Sequence, residues 1–324
     1  MNTKTMVGIV MVGMLLVAGA AVLIPLLNED RVTVAFTDKS NYETLIIAKE
    51  KGWLEEAGIR HLHVMGGVGA MEAINTGSAD MAATGDGPAV NALSRNDNVK
   101  IVARFIGGEG MHRFIAHTDI QEPADLGGKK VGLQWGSSTH GAFLRWLADN
   151  DVQVNGANEN NASKVTIVPL SPNLLHTAMN SGQIDAMAGS EPWAINTERV
   201  MGTAVHEIGN SSGQGSTFPI TLFATQRIID RNPDAVQTMI DILVRSNQFI
   251  MDNWDDAMQT LYPFTGVANA TEQDACSRLQ FFEVGFNETD IQSLLIAAEM
   301  RGIDLTASRI NERTELRFLP GVEG

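Results

Sequence analysis

The sequence predicts an α/β protein built as two similar lobes around one cleft. Three observations carry that reading. The chain has 324 residues, more than twice the commonest single-domain length of roughly 100–150. Strand patterns alternate with helical patterns, which calls for open sheets covered by helices. A strand, a polar loop and a helix near the start then return in the same order about 99 residues later.

The first element is apolar. Met6 to Leu27 is a run of 22 uncharged residues, preceded by Lys4 and followed by Asn28, Glu29 and Asp30. As a helix rising about 1.5 Å per residue it reaches roughly 33 Å, enough to span the hydrocarbon core of a bilayer. Ala18-Gly19-Ala20 offers a signal-peptidase site, but cleavage there leaves Val22 to Leu27 as an apolar mature terminus. Residues 1–30 are therefore read as a signal anchor, with a cleaved signal peptide as the alternative. Lys4 favours a cytoplasmic start and an extracytoplasmic remainder.

Val32 to Phe36 follows as a strand, bounded by the polar stretch Thr37 to Asn41. Leu45, Ile46, Ala48, Lys49 and Trp53 then carry a helical period, and Gly58 supplies a stop. The second copy runs Val131 to Trp135, Gly136 to His140, then a helix with Phe143, Leu144, Trp146 and Leu147 on its apolar side. A further pair agrees. Ala73 to Asp86 and Ala178 to Glu191 lie 105 positions apart, match at Ala, Asn, Gly and Asp, and each ends in an acid with a proline close behind. A period near 100 indicates a duplicated lobe rather than a solenoid, whose period is roughly 20–50 residues.

Beyond Thr221 to Thr225, another strand, the chain is mostly helical. Val236, Met239, Ile240, Leu243, Asn247 and Ile250 mark the buried face of a long helix starting at Asp230 to Pro233. Thr271 to Asp274 and Asn287 to Asp290 are N-cap signals for two more.

Composition narrows the function. Lysine and arginine number 23 against 38 acids, a formal charge of −15 with no basic cluster, which disfavours nucleic acid. The single Cys276 excludes intrachain disulfides, CxxC redox sites and cysteine zinc sites. There is no HExxH or Walker loop to anchor an enzyme reading. No cofactor or metal is expected.

In open α/β sheets ligands bind outside the carboxyl ends of the strands. That selects the loops Thr37 to Tyr42, Gly85 to Pro88, Gly107 to Gly110, Gly136 to His140 and Ser190 to Trp193. Gly136-Ser137-Ser138-Thr139-His140 joins a strand to a helix, so unpaired N–H groups and the helix dipole can meet an anion there, with three hydroxyls as further donors. A plain N-cap is the competing reading. Asp86, Glu109 and Glu191 would repel an anion but could take the ammonium of a zwitterion; each is equally readable as a surface carboxylate. Tyr42, Trp135 and Trp193 can wall an alkyl chain, although Trp135, read as in-strand, also fits the second core. His140 and His112 are candidate hydrogen-bond donors.

These residues resemble the solute-binding proteins of ABC importers for nitrate, sulfonate, taurine and thiamine precursors. The resemblance rests on Ile46-Ala48-Lys49-Gly52-Trp53-Leu54-Glu55-Gly58, Gly77-Asp80-Met81-Ala82, Leu126 to Gly132, Gly136-Ser137-Ser138-His140 and Glu191-Pro192-Trp193, in that order over about residues 31–260. It implies a two-lobed periplasmic-binding-protein-like fold of type II after the N-terminal transmembrane or signal helix. Lobe one would be 31–117 plus 219–324 and lobe two 118–218, with crossovers near His117 to Asp119 and Ser216 to Phe218. The implied function is capture of a small anionic or zwitterionic solute, such as an aliphatic sulfonate, taurine or nitrate, for an ABC permease with its ATPase. The expected ligand-binding residues are Ser40, Asn41, Tyr42, Asp86, Gly87, Glu109, Ser137, Ser138, Thr139, His140, Glu191, Trp193 and Thr217. The chain is expected to be a membrane-held monomer rather than an enzyme. The alternative is a thiamine-pyrimidine or menaquinone-pathway protein on the same fold, which would act in the cytosol.

Overall fold

The computed structural model describes residues 31–38, 41–95, 98–265, 274–281 and 283–322. The apolar run 6–27, Ser40 and the cap signal at Thr271 lie outside them. Among the described residues no helix is long and apolar enough to cross a membrane.

Two five-stranded sheets organise the chain. The first has the order β2-β1-β3-β10-β4, from β1 (Thr33–Phe36), β2 (Arg60–His63), β3 (Met81–Gly85), β4 (Val99–Ile106) and β10 (Ile220–Thr225). The second has the order β7-β6-β8-β5-β9, from β5 (His112–His117), β6 (Lys130–Leu133), β7 (Thr166–Pro169), β8 (Ala186–Ser190) and β9 (Val205–Asn210). In each sheet the fourth strand runs antiparallel to both neighbours: β10 between β3 and β4, β5 between β8 and β9. The two sheets are copies of one plan.

The duplicated segments explain why. Asp80 and Asp185 open β3 and β8 in the same way, each carboxylate accepting the N–H that starts the neighbouring parallel strand. The bonds are Thr33 N–H to Asp80 at 2.9 Å and Lys130 N–H to Asp185 at 2.8 Å. Each acid's own N–H returns to the same residue's carbonyl, at 2.9 and 2.8 Å. β1 and β3 are buried along their whole length, as expected where helices cover both faces of a parallel sheet.

Helices α1 (Glu43–Glu50), α2 (Trp53–Glu56), α3 (Gly66–Asn75) and α4 (Asp86–Arg95) serve the first sheet. The single helix expected from Leu45 to Trp53 is divided because Gly52 adopts φ +77°, a turn that an L side chain would strain. Helices α5 (Ser138–Asp149), α6 (Leu175–Asn180) and α7 (Trp193–Met201) serve the second. The C-terminal part adds α8 (Gln226–Arg231), α9 (Pro233–Asp252), α10 (Trp254–Thr265), α11 (Glu288–Glu299) and α12 (Ala307–Glu312). The cap signals hold at α9 and α11: Asn232 accepts the Ala235 N–H, and Asn287 with Asp290 forms a reciprocal capping box.

Two expectations change. β5 pairs with β8 and β9, so the chain first passes between the sheets at 107–111, not near His117 to Asp119. Trp135 is not in a strand or a core. β6 ends at Leu133, the chain turns at Gly136, and Trp135 is 60% exposed with its ring 4.3 Å from that of His140.

All six periodic positions of α9 are buried, but Asn247 does more than fill space. Its amide donates to the Phe105 carbonyl at 2.6 Å and accepts the Thr44 hydroxyl at 2.6 Å, tying α9 to β4 and α1. Asn247→Leu strands both partners without water, at about 1–3 kcal/mol each. We expect a loss of at least about 2 kcal/mol, read as a lower urea midpoint with unchanged slope; an unaltered midpoint would refute the tie.

Candidate functional site

A cleft of about 200 Å³ lies where the carboxyl ends of β1, β3, β6 and β8 meet. The register explains its position. Because β10 and β5 are antiparallel insertions, their first residues stand opposite the last residues of β3 and β8, as the pairs Ile220–Gly85 and His112–Ser190. All four line the cleft.

Of the expected site residues, Asn41, Tyr42, Ser137, Ser138, Thr139 and Trp193 are brought together as cleft lining. Asn41 is buried with φ +61°, donates its N–H to Glu43 at 3.2 Å, and keeps its side-chain oxygen without a hydrogen-bond partner. Burial beside Glu43 pushes the Tyr42 hydroxyl well above the usual tyrosine range, so it stays a neutral donor. Trp193 opens α7 and gives the cleft an apolar wall.

The seat at the start of α5 is assembled differently from its sequence reading. Ser137 is the N-cap, accepting the His140 N–H at 3.3 Å and donating to the Gln134 carbonyl at 2.7 Å. The Ser138 hydroxyl accepts the Gly87 N–H at 3.4 Å. Thr139 Oγ1 is 2.9 Å from His112 Nδ1. The hydroxyls are thus engaged within the protein. What α5 offers the cleft is its unpaired first-turn N–H groups and its dipole.

His112 completes the seat. It is 1% exposed, and burial together with the Arg301 charge pushes it down to about 3, so the ring is neutral. Nδ1 shares one hydrogen bond with the Thr139 hydroxyl, and the buried Nε2 has no hydrogen-bond partner. His140 stands apart. Its Nδ1 accepts the Gly136 N–H at 3.2 Å, and burial and Arg301 push it down to about 4, so it props the turn beneath Trp135.

The three suspected acids do not line the cleft. Glu109 is exposed on the 107–111 crossing. Asp86 is 2% exposed at the first position of α4; burial raises its carboxyl, while Arg301, Ser138 and the Gly87 N–H hold it down. Glu191 is 0% exposed, faces Arg113 at 3.2 Å and Arg278 at 3.4 Å, and accepts the Ile195 N–H of α7 at 3.1 Å. Thr217 bonds Ser293 and the Gly108 N–H, locking the two crossings to α11.

A common role unites the buried acids. Glu43 sits in the first turn of α1, Asp86 in that of α4, and Glu191 caps α7. Each occupies the positive end of a helix that starts at the cleft. Among the described residues, only α3 and α5, of the helices that begin at the cleft and are eight residues or longer, have no acid there. They come from opposite sheets and both face the cleft.

Several site residues escaped the sequence reading. Met65 to Val68 at the start of α3, Gln134, and Ser171 to Asn173 all line the cleft. The glycine-rich run Gly66-Gly67-Val68-Gly69 was the available signal for the first. Arg301, beyond α11, reaches under α5 and donates to the Ser137 carbonyl at 2.7 Å. Gly87 and Gly141 make room for it, since a Cβ there would stand 2.3 and 2.7 Å from its guanidinium.

The comparisons with known proteins agree with this geometry. A family model described as NMT1/THI5 like matches residues 39–257. A Brucella abortus (strain 2308) protein named as a binding protein is 30% identical over 230 residues, covering 69% of this chain and 68% of its own. An Escherichia coli (strain K12) protein named as an aliphatic sulfonates-binding protein is 25% identical over 220 residues, covering 63% and 64%. The solved alkanesulfonate-binding protein SsuA from Xanthomonas axonopodis pv. citri, bound to MOPS, superposes with a TM-score of 0.74 at 20% identity over 88% of this chain and 98% of that one. The periplasmic aliphatic sulphonate binding protein SsuA from Escherichia coli gives 0.72 at 18% identity over 91% and 94%. At those identities the structural likeness establishes the fold, a two-sheet periplasmic-binding-protein-like one.

Glu191 generates a pH test. Burial pushes its carboxyl up to about 7 from 4.5, despite Arg113 and Arg278. The folded state therefore holds a proton that the unfolded state has released, and stability from this group falls as pH rises from 4.5 through 7. The stability difference between wild type and Glu191→Gln should shrink over that window, measured by denaturant unfolding at each pH. The difference isolates Glu191 from the histidines, whose lowered values act in the opposite sense. A flat difference would show an ordinary ionised carboxylate.

Proposed function

This chain belongs to the NMT1/THI5-like family, and on that premise we propose that it is the extracytoplasmic substrate-binding component of an ABC importer for small organic anions of the aliphatic sulfonate class. One observation carries the choice of ligand: two helix N-termini free of acids, those of α3 and α5, face a cleft whose lining, among the described residues, holds no Lys, Arg, Asp or Glu. Helix ends and oriented N–H groups suit a compact anion with several acceptor oxygens. Tyr42, Met65, Val68, Met111, Pro88 and Trp193 offer an apolar surface to a short tail.

The same lining weighs against a zwitterion. With Asp86 and Glu191 turned onto helix ends, an ammonium group would be desolvated without a carboxylate partner. An alkanesulfonate with an uncharged tail fits better than taurine, and nitrate would leave the apolar wall unused. The overall charge of −15 opposes any anion at long range, so capture depends on these short-range donors.

We assign the chain capture and delivery rather than catalysis, with a permease and its ATPase as partners and a single copy of the chain as the working unit. Residues 6–27 are assigned as the membrane anchor. A thiamine-pyrimidine or menaquinone role would instead place the chain in the cytosol, so cell fractionation separates the two.

The ligand test is a thermal-shift series on the full-length chain with butanesulfonate, propanesulfonate, taurine and nitrate. A ligand at 100 times its Kd stabilises the native state by about 2.7 kcal/mol. The alkanesulfonates should raise Tm well above taurine or nitrate at equal concentration. Taurine matching propanesulfonate would overturn the neutral-tail assignment, and no shift with any of them would overturn the sulfonate class.

A further inference from the structure

At the rim of the cleft, outside the solute seat, three side chains converge that the capture function does not use. His61 and His63 lie two apart on β2, hence on the same side of the strand. The register pairs His63 with Phe36, the last residue of β1, and Asp38 follows two residues later. His61 Nε2 is 3.4 Å from one Asp38 oxygen, His63 Nδ1 is 3.3 Å from the other, and one ligand atom from each of the three residues falls within 4.8 Å of the rest.

Those spacings have a chemical meaning. A tetrahedral zinc ion with bonds of roughly 2.0–2.1 Å holds neighbouring ligand atoms about 3.3 Å apart. Two imidazoles and one carboxylate are also a donor set that suits zinc and leaves a coordination position open. The site is preformed in other respects. His61 is stacked on Phe36 with ring centroids 3.8 Å apart, so the plane of its ring is held. Asp38 Oδ1 is buried and lacks a hydrogen-bond partner.

We propose that Asp38, His61 and His63 form a binding site for one Zn²⁺ ion, with its open position toward the cleft that His63 lines. Two groups must adjust. The Lys49 ammonium, 3.0 Å from Asp38 Oδ2, swings into solvent, which its partial exposure allows. The His61 ring turns within its stacked plane to carry Nε2 off the Phe36 carbonyl, now 3.1 Å away, where an ion would overlap the oxygen, and its proton moves to Nδ1 so that Nε2 can bind the ion. No other bond is broken. Lys49 thus competes with the metal for one carboxylate.

The test is calorimetric titration of Zn²⁺ into the EDTA-stripped full-length chain, with no sulfonate present. We expect one equivalent to bind, undisturbed by millimolar Mg²⁺, whose preference is for oxygen ligands. His61→Gln and Asp38→Asn should each weaken binding at least the roughly tenfold that loss of even an outer-shell partner costs. Lys49→Met should tighten it several-fold. Co²⁺ in place of Zn²⁺ should show the intense visible absorption of a tetrahedral site, and circular dichroism should show each variant folded. Absence of stoichiometric Zn²⁺ binding, or binding unchanged in both the Asp38 and His61 variants, would overturn the site. So would weaker binding in Lys49→Met. The outcome is independent of which solute the cleft takes.

Discussion

The antiparallel strand set into each sheet is the constraint from which the rest of this structure follows. β10 lies between β3 and β4, and β5 between β8 and β9. An antiparallel strand starts where its parallel neighbour ends, so both passages between the sheets, at 107–111 and 211–219, arrive beside strand carboxyl ends. Those ends are where α/β sheets leave room for ligands. One topological choice, made twice, places Gly85, Ile220, His112 and Ser190 around a common cleft.

Charge placement then decides what the cleft can hold. Every helix that begins at a strand carboxyl end brings a partial positive charge to the same region. The protein occupies three of them with its own buried acids, Glu43, Asp86 and Glu191, and leaves α3 and α5 open. Arg301 adds to the second, gripping the Ser137 carbonyl from beneath, and its charge adds to burial in keeping His112 and His140 neutral. An acidic chain can therefore present helix N-termini to a cleft whose described lining holds no lysine or arginine. The buried acids that look like ligand contacts in the sequence are the means by which the seat is confined to two helices.

The proposed metal site uses the same architecture at the rim. Strand β2 ends beside β1, so the loop after Phe36 brings Asp38 over the alternate histidines of the edge strand. Its nearest competitor for the carboxylate is Lys49, one residue before the end of α1. Rim and seat share His63 as a lining residue but no other donor.

The sequence alone determined the elements and their duplication. Asp80 and Asp185 recur at matched places because each must pair with the first N–H of a neighbouring parallel strand, a local requirement that leaves a mark at a fixed spacing. Asn287 was legible as a cap, and α9 was legible from its period and its start within 230–233, because a helix end and a buried face are set by residues within a few turns. The helix start at Ser137 was legible for the same reason, as an N-cap. What remained for tertiary structure was the direction in which side chains face. Glu191 meets Arg113 and Arg278, Asp86 meets Arg301, and Trp135 leaves the core, all through partners or turns whose positions follow from the crossing of the chain. Such contacts join residues up to about 200 positions apart, and burial there depends on the packing of whole sheets, which no local pattern records.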